Sequence, residues 1–376
     1  MWIGNQPALG MIDNPGVNSL SEHYRRMRVY PRGLDMTLAN AFAAMETIPN
    51  VDTTESTSLF DGGTDLSGSG KWIGGVLAPN GKIYGIPSSS TTVLCIDPSN
   101  NTTSTFGSLS GTGKWFSGVL APNGKIYGIP SNSTTVLCID PSDNTITTFG
   151  SLSSDLYKWY GEVLAPNGKI YGIPSSSTTV LCIDPSNNTT STFGSLSGIG
   201  KWAGGVLAPN GKIYGIPLNS TTVLCIDPSN NTTSTFGSLS GTDKWFSGVL
   251  APNGKIYGIP FNSTTVLCID PSNNTTSTFG SLSGTAKWFG GVLAPNGKIY
   301  GIPRDSTTVL CIDPSNNTTS TFGSLSGTGK WVGGVLAPNG KIYGIPRDST
   351  TVLCIDGIGS MSSAKNALTH PFFNKF

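Results

Sequence analysis

One unit, GKWxGGVLAPNGKIYGIPxxSTTVLCIDPSNNTTSTFGSLSGT, runs through the chain seven times almost unchanged. Its marker tryptophans are Trp72, Trp115, Trp159, Trp202, Trp245, Trp288 and Trp331, spaced by 43 residues except for one step of 44. A repeat of this length, built of short β-type runs rather than helix pairs, predicts a β-propeller with one blade per repeat.

The first unit shows how a blade forms. Residues 74–78 (GGVLA) are a short apolar strand, and Pro79-Asn80-Gly81 makes the turn, with Asn-Gly expected to supply positive φ angles. Residues 82–87 (KIYGIP) form a second strand, which Pro87 ends. Residues 91–97 (TTVLCID) carry no charge until Asp97, the pattern of a strand covered on both faces. After Pro98-Ser99-Asn100, residues 102–109 (TTSTFGSL) are more polar and read as the outermost strand. The glycine-rich strand belongs nearest the axis, where inner strands crowd together.

The seventh unit breaks at Gly357 without an outer strand, whereas residues 51–60 (VDTTESTSLF) resemble the IDPSNNTTSTF segment. This N-terminal strand is expected to complete the last blade and close the ring. The fold class is therefore all-β, a seven-bladed β-propeller over 51–356. Short helical extensions flank it at 1–50 and 357–376, with helices expected at 19–29 and 34–47. The tail ends in HPFFNKF, and its adjacent Phe372 and Phe373 argue for docking.

Net charge is +1, only 11% of residues are charged, and no basic run exists, which argues against nucleic acid as a partner. No apolar stretch reaches the length of a membrane span, and the opening MWIGNQPALGMIDNP lacks the pattern of a secretory signal. The seven cysteines occupy one equivalent position per repeat, so the ring would hold them too far apart for disulfides. They read as small buried apolar residues of a reducing cytoplasm, and no second Cys or His stands at metal-ligand spacing. The Asn-x-Thr triplets, as at Asn100 and Asn101, read as unmodified turn residues. The two histidines, His23 and His370, lie outside the repeats, and the repeated aspartates, such as Asp97, sit at a strand end in a structural turn role. No nucleophile, base and orienting group can be assembled, so no enzyme, cofactor or metal is expected.

The units resemble kelch-type propeller repeats in NGKIY followed by a V-x-x-ID-P-x-x-N-T segment, over residues 51–356. They depart from kelch in Gly85-Ile86-Pro87, where kelch has a glycine doublet. The resemblance implies fold and blade order rather than activity. At the N-terminus, Trp2-Ile3-Gly4-Asn5-Gln6-Pro7-Ala8-Leu9-Gly10 resembles the opening of tailed-phage fibre and tail proteins. That implies a docking segment in which Trp2, Ile3, Asn5, Gln6 and Pro7 meet other virion proteins.

The repeats differ from one another in two places. One flanks Lys-Trp: Tyr157, Asp243 and Ala286 before the lysine, then Ile73, Phe116, Tyr160, Ala203, Phe246, Phe289 and Val332 after the tryptophan. The other is the loop after Gly-Ile-Pro, with Leu218, Phe261, Arg304-Asp305 and Arg347-Asp348. In a four-stranded meander both places emerge on one face, while the invariant APNGK turns emerge on the other. A diversified face on a rigid scaffold reads as a binding face with aromatic and arginine anchors. Its candidate residues are Ile73, Phe116, Tyr157, Tyr160, Leu218, Asp243, Phe246, Phe261, Phe289, Arg304, Asp305, Arg347 and Asp348; neutral drift at exposed loops is the alternative.

The Lys-Trp pairs have two readings: a Trp packed between blades with Lys snorkelling beside it, or a ring of Trp platforms for sugar rings. Glu162, where other repeats have Gly, reads as a solvated substitution. These readings together lead to a structural phage virion protein. Residues 1–50 would anchor it, and the variable face would meet a host-surface glycan or protein, with a homo-oligomer on a virion assembled in the host cytoplasm. The alternatives are a cytoplasmic kelch-like adaptor and a multivalent lectin.

Overall fold

The computed structural model describes residues 54–359. Blade 1 runs outward from the axis as Trp72–Leu77, Ile83–Pro87, Val93–Asp97 and Thr102–Phe106, each strand antiparallel to the next. Seven such four-stranded sheets form the described chain. In blade 7 the inner strands are Trp331–Leu336, Ile342–Pro346 and Val352–Asp356, and the fourth is the N-terminal strand Ser56–Phe60. Ser56 lies opposite Asp356 and Phe60 opposite Val352, so the expected closing strand is present and begins at Ser56. The helices expected at 19–29 and 34–47, the docking residues Trp2 to Pro7 and the tail from residue 360 lie outside the described residues.

The second and third strands are buried on both faces, because neighbouring sheets cover them. Between blades 3 and 4, Val163, Tyr171, Ile173, Val180 and Cys182 of one sheet pack on Trp202, Ile213, Leu224 and Ile226 of the other. Six further clusters of this composition fill the other junctions. At the blade 7–blade 1 junction the residues before the first repeat contribute Leu66 and Phe60 in the places that Leu109 and Phe106 hold one blade on. The cysteine thiols are free and buried, and burial pushes their pKa up, which makes them unreactive.

Polar groups also cross each junction. The Tyr84 hydroxyl of blade 1 donates to Asn144 Oδ1 of blade 2 at 2.9 Å, and Asn80 Nδ2 donates to the Tyr84 oxygen and to Pro141 O. This explains the invariant APNGK turn and the second Asn of PSNN. Asn144 and its equivalents also adopt left-handed φ values of 56–58° that asparagine tolerates. The APNGK turn itself differs from expectation. Only Gly81 has positive φ (79°), within a three-residue loop closed by Gly81 N–H to Ala78 O and Ala78 N–H to Lys82 O. Asn80 stands there for its side chain rather than its backbone. At the blade 6–blade 7 junction, where the N-terminal strand replaces the outer strand of blade 7, no PSNN turn is available, and Glu55 accepts the Tyr300 hydroxyl at 2.5 Å instead. The expected turn role of Asp97 is observed, with Ser99 N–H donating to its Oδ1 at 3.0 Å.

The Lys-Trp pairs bear out the Trp packed between blades and correct the sugar platform and the snorkelling lysine. Every marker Trp is buried, and Trp202 donates from Nε1 to Thr222 O within its own blade, so none offers a face to a sugar. The lysines do not snorkel to solvent. Lys201 Nζ is buried and donates to Ser175 O, Ser177 O and Gly198 O at 2.8–2.9 Å, two of these carbonyls lying in the loop of the preceding blade. It also lies 5.9 Å from the centre of the Trp202 ring. Desolvation lowers its pKa to about 8.

Junction bonds of this kind contribute about 1 kcal/mol each. Tyr214→Phe is expected to cost about that amount in denaturant unfolding, since Asn210, Pro271 and Asn274 lose a shared partner. Removing the chain through Phe60 is expected to cost several times more, because it opens a whole edge of Val352–Asp356. Equal costs would contradict strand closure.

Candidate functional site

The innermost strands of all seven blades line a central channel whose cavity measures about 210 Å³. The residue after each marker Trp stands at its mouth, on the face that carries the blade connections and the loops after Gly-Ile-Pro. Crowding explains the glycines below. A Cβ at Gly205 would lie 2.7 Å from Ile173 Cδ1 of the preceding blade, inside any real contact distance.

The mouth gathers most of the predicted face residues. Phe116 stacks on Tyr160 with centroids 4.2 Å apart, and Phe246 stacks on Phe289 at 3.7 Å. The two pairs lie within 6 Å of each other, and Phe261 meets Phe246 and Phe289 edge-on. The Arg304 guanidinium stands 5.5 Å from the Phe261 centroid, and Ile73 lines the opposite wall. Leu218 and Phe246 are only 5% and 9% exposed, so they pack the mouth and are not the exposed anchors that sequence reading expected. Phe116, Tyr160, Phe261 and Phe289 are half-buried.

The remaining candidates stand at blade junctions. Asp305 Oδ1 accepts Gly329 N–H and Asp348 Oδ1 accepts Gly70 N–H, both at 2.6 Å, while their second oxygens pair with Arg304 and Arg347. Tyr157 and Asp243 replace the glycine before the lysine and keep its left-handed backbone, with φ of 57° and 46°. The cost of that conformation is offset by Asn132 and Asn219, whose side chains accept their N–H groups at 2.9 and 2.7 Å. Tyr157 is 52% exposed and meets Tyr160 edge-on. It lies beside exposed Leu156 in the connection lengthened by one residue, and Ile199 in the next connection is 80% exposed.

Glu162 is the residue whose place the sequence reading missed. It is half-buried in the channel wall rather than freely solvated. It occupies the crowded glycine position of blade 3 and lines the channel. Its carboxylate accepts the Ser117 hydroxyl of blade 2, which also lies 2.8 Å from Tyr160 O. Burial raises its pKa to about 7, against the lowering by Ser117. The signal available in the sequence was the pairing of one Glu-for-Gly with a Ser-for-Gly one blade earlier.

This is a propeller of repeated blades with one built face, an architecture suited to binding. A repeat of unknown function (DUF6923) matches residues 164–330. No curated protein matches the chain. The seven-bladed propeller repeat is supported, and these matches do not identify it as kelch. Among solved structures, a streptogramin B lyase has a TM-score of 0.68 and 12% identity, covering 80% of this chain and 97% of its own. A selenomethionine-substituted virginiamycin B lyase from Staphylococcus aureus has 0.70 and 10%, covering 80% and 99%. A hydrazine synthase from Kuenenia stuttgartiensis has 0.58 and 14%, covering 79% and 99%. At these identities the likeness is one of fold. It still corrects the expectation that the chain is no enzyme, because lyases are built on this same architecture and the missing triad excludes nothing.

The raised pKa of Glu162 has a sign that stability measurements read. Between its ordinary value of 4.5 and about 7 the folded protein holds this proton more tightly than the unfolded chain. Stability from this group is thus greatest at low pH and is lost as pH rises to 7. Glu162→Gly, which restores the residue of the other six blades, is expected to flatten that slope and to stabilise the protein at pH 8 by about 1–3 kcal/mol. An unchanged slope would show that the carboxylate is well solvated.

Proposed function

We propose that the protein is a binding propeller whose variable face takes a host-surface glycan or protein. The observation that carries this reading is the convergence of substitutions. Seven nearly identical units differ where the chain reaches one channel mouth, and there they place Phe116, Tyr160, Phe246, Phe261 and Phe289 together with Arg304 beside them. Partly exposed aromatics with an adjacent arginine are the composition of interface anchors. The reverse face keeps its turns constant for the junction bonds already described. Neutral drift would scatter polar residues over the loops instead.

The resemblance of residues 2–10 to tailed-phage proteins extends the reading to a virion structural protein, with 1–50 as its attachment segment. The full chain would then bind both phage particles and host cells, and a chain lacking 1–50 would bind cells alone. Phe261→Ala with Arg304→Ala is expected to weaken cell binding about tenfold or more while leaving the unfolding temperature nearly unchanged. Full cell binding by that variant would overturn the face assignment, and particle binding without 1–50 would overturn the anchor. Binding to neither would favour the intracellular adaptor.

A further inference from the structure

We infer that the central channel holds a small organic cation, an alkylammonium, between the Glu162 carboxylate and the aromatic rings at the channel mouth. This site adjoins the proposed partner face and shares its rings at the channel mouth, but its charge, Glu162, lies deeper, inside the ring of innermost strands.

The argument begins with what Glu162 costs. In the six other blades this position is glycine, and an added Cβ would meet isoleucine of the preceding blade at 2.5–2.7 Å, as Gly248 would meet Ile216. Placing a glutamate there requires the neighbours to give way and takes a carboxylate partly out of water. Its carboxylate accepts the Ser117 hydroxyl, and no lysine or arginine pairs with it among the described residues. The fold does not need the residue, since six blades close without it. A half-buried carboxylate that lines a channel and lacks its own cation is complementary to one brought from outside.

The rest of the cavity defines the chemistry. Its walls are glycine backbone, two serines (Ser117 and Ser247) and the rings of Phe116, Tyr160, Phe246 and Phe289. One carboxylate is too few ligands for a hard divalent ion, and no group of three His, Cys, Asp or Glu side chains stands together among the described residues. An ammonium with a short apolar stem uses every wall: charge on Glu162, N–H on hydroxyl and carbonyl oxygen, stem and diffuse charge on the rings. The source is a free amine or the lysine side chain of a partner.

Other titratable groups leave the pH behaviour to Glu162. The adjacent innermost strands, Trp115–Leu120 and Trp202–Leu207, carry none. Tyr127 and Tyr171 on the second strands send their hydroxyls away, to Asn188 and Asn231 in the outer turns. Tyr160 at the mouth has its pKa pushed up to about 12 by burial and stays neutral. Binding requires the ionised carboxylate, so affinity rises with pH through the neutral range.

The test is calorimetric titration of the full chain with n-butylammonium, and with N-acetyl-lysine methylamide, at pH 6 and pH 8. Binding about tenfold tighter at pH 8 is expected, following the ionised fraction of a group with pKa about 7. Glu162→Gly and Glu162→Gln are expected to lose at least tenfold, and Phe116→Leu about fivefold. Glu162→Gly carries the fold control, because its residue is that of the other blades. Preference for the lysine amide would assign the site to a partner's side chain, and preference for butylammonium to a free amine. No binding at millimolar concentration, no pH dependence, or equal binding by Glu162→Gly would each overturn the inference.

Discussion

Everything in this molecule depends on the junction between neighbouring blades. A single blade has two apolar faces and cannot bury either one alone, so each sheet needs a sheet on both sides. Seven copies satisfy that need only if the circle closes. The apolar contact between sheets is non-directional, and the polar groups fix its geometry. Lysine reaches loop carbonyls of the preceding blade at one face, and tyrosine reaches the outer turn of the following blade at the other. A blade is thus tied to one neighbour at each rim, and the tie repeats with the sequence.

The same constraint divides the surface into two faces of different freedom. At the hairpin-turn face, Asn80 and Tyr84 with their equivalents spend their hydrogen bonds on the next blade, so variation there breaks a junction. At the opposite face the tie is made by lysine Nζ to backbone carbonyls, which any loop residue supplies. Side chains in those loops are freer to differ, with only single positions such as Asn132, Asn219, Asp305 and Asp348 adding a bond to the next blade. Diversity at one face therefore follows from how the junction is built, and it makes that face available for recognition. Convergence at the channel mouth then turns seven independent positions into one aromatic surface.

Most of the fold was legible in the sequence, because a strict period with strand-type runs admits few architectures. The closing strand was legible for the same reason, as residues 56–60 repeat the outer-strand pattern. What could not be read was the direction of side chains relative to the axis. Lysine beside Trp normally reaches solvent, and only the stacked blades show three carbonyls waiting for its ammonium. Leu218 and Phe246 look like exposed loop residues in sequence, yet convergence buries them. Glu162 looked solvated because a strand position carries no sign of facing a crowded channel. The left-handed backbone at Tyr157 and Asp243 was signalled only by the glycines that hold the same place in other blades, and the Asn132 and Asn219 bonds that support it join residues far apart in sequence.

The division of labour between the faces is open to direct measurement by hydrogen exchange. The full chain would be compared free and bound to host cell-surface material. The account predicts slowed exchange in the blade connections and the loops after Gly-Ile-Pro around Phe261 and Arg304, with the APNGK and PSNN turns unchanged. Protection confined to those invariant turns would contradict it, and would make the constant face the one that recognises a partner.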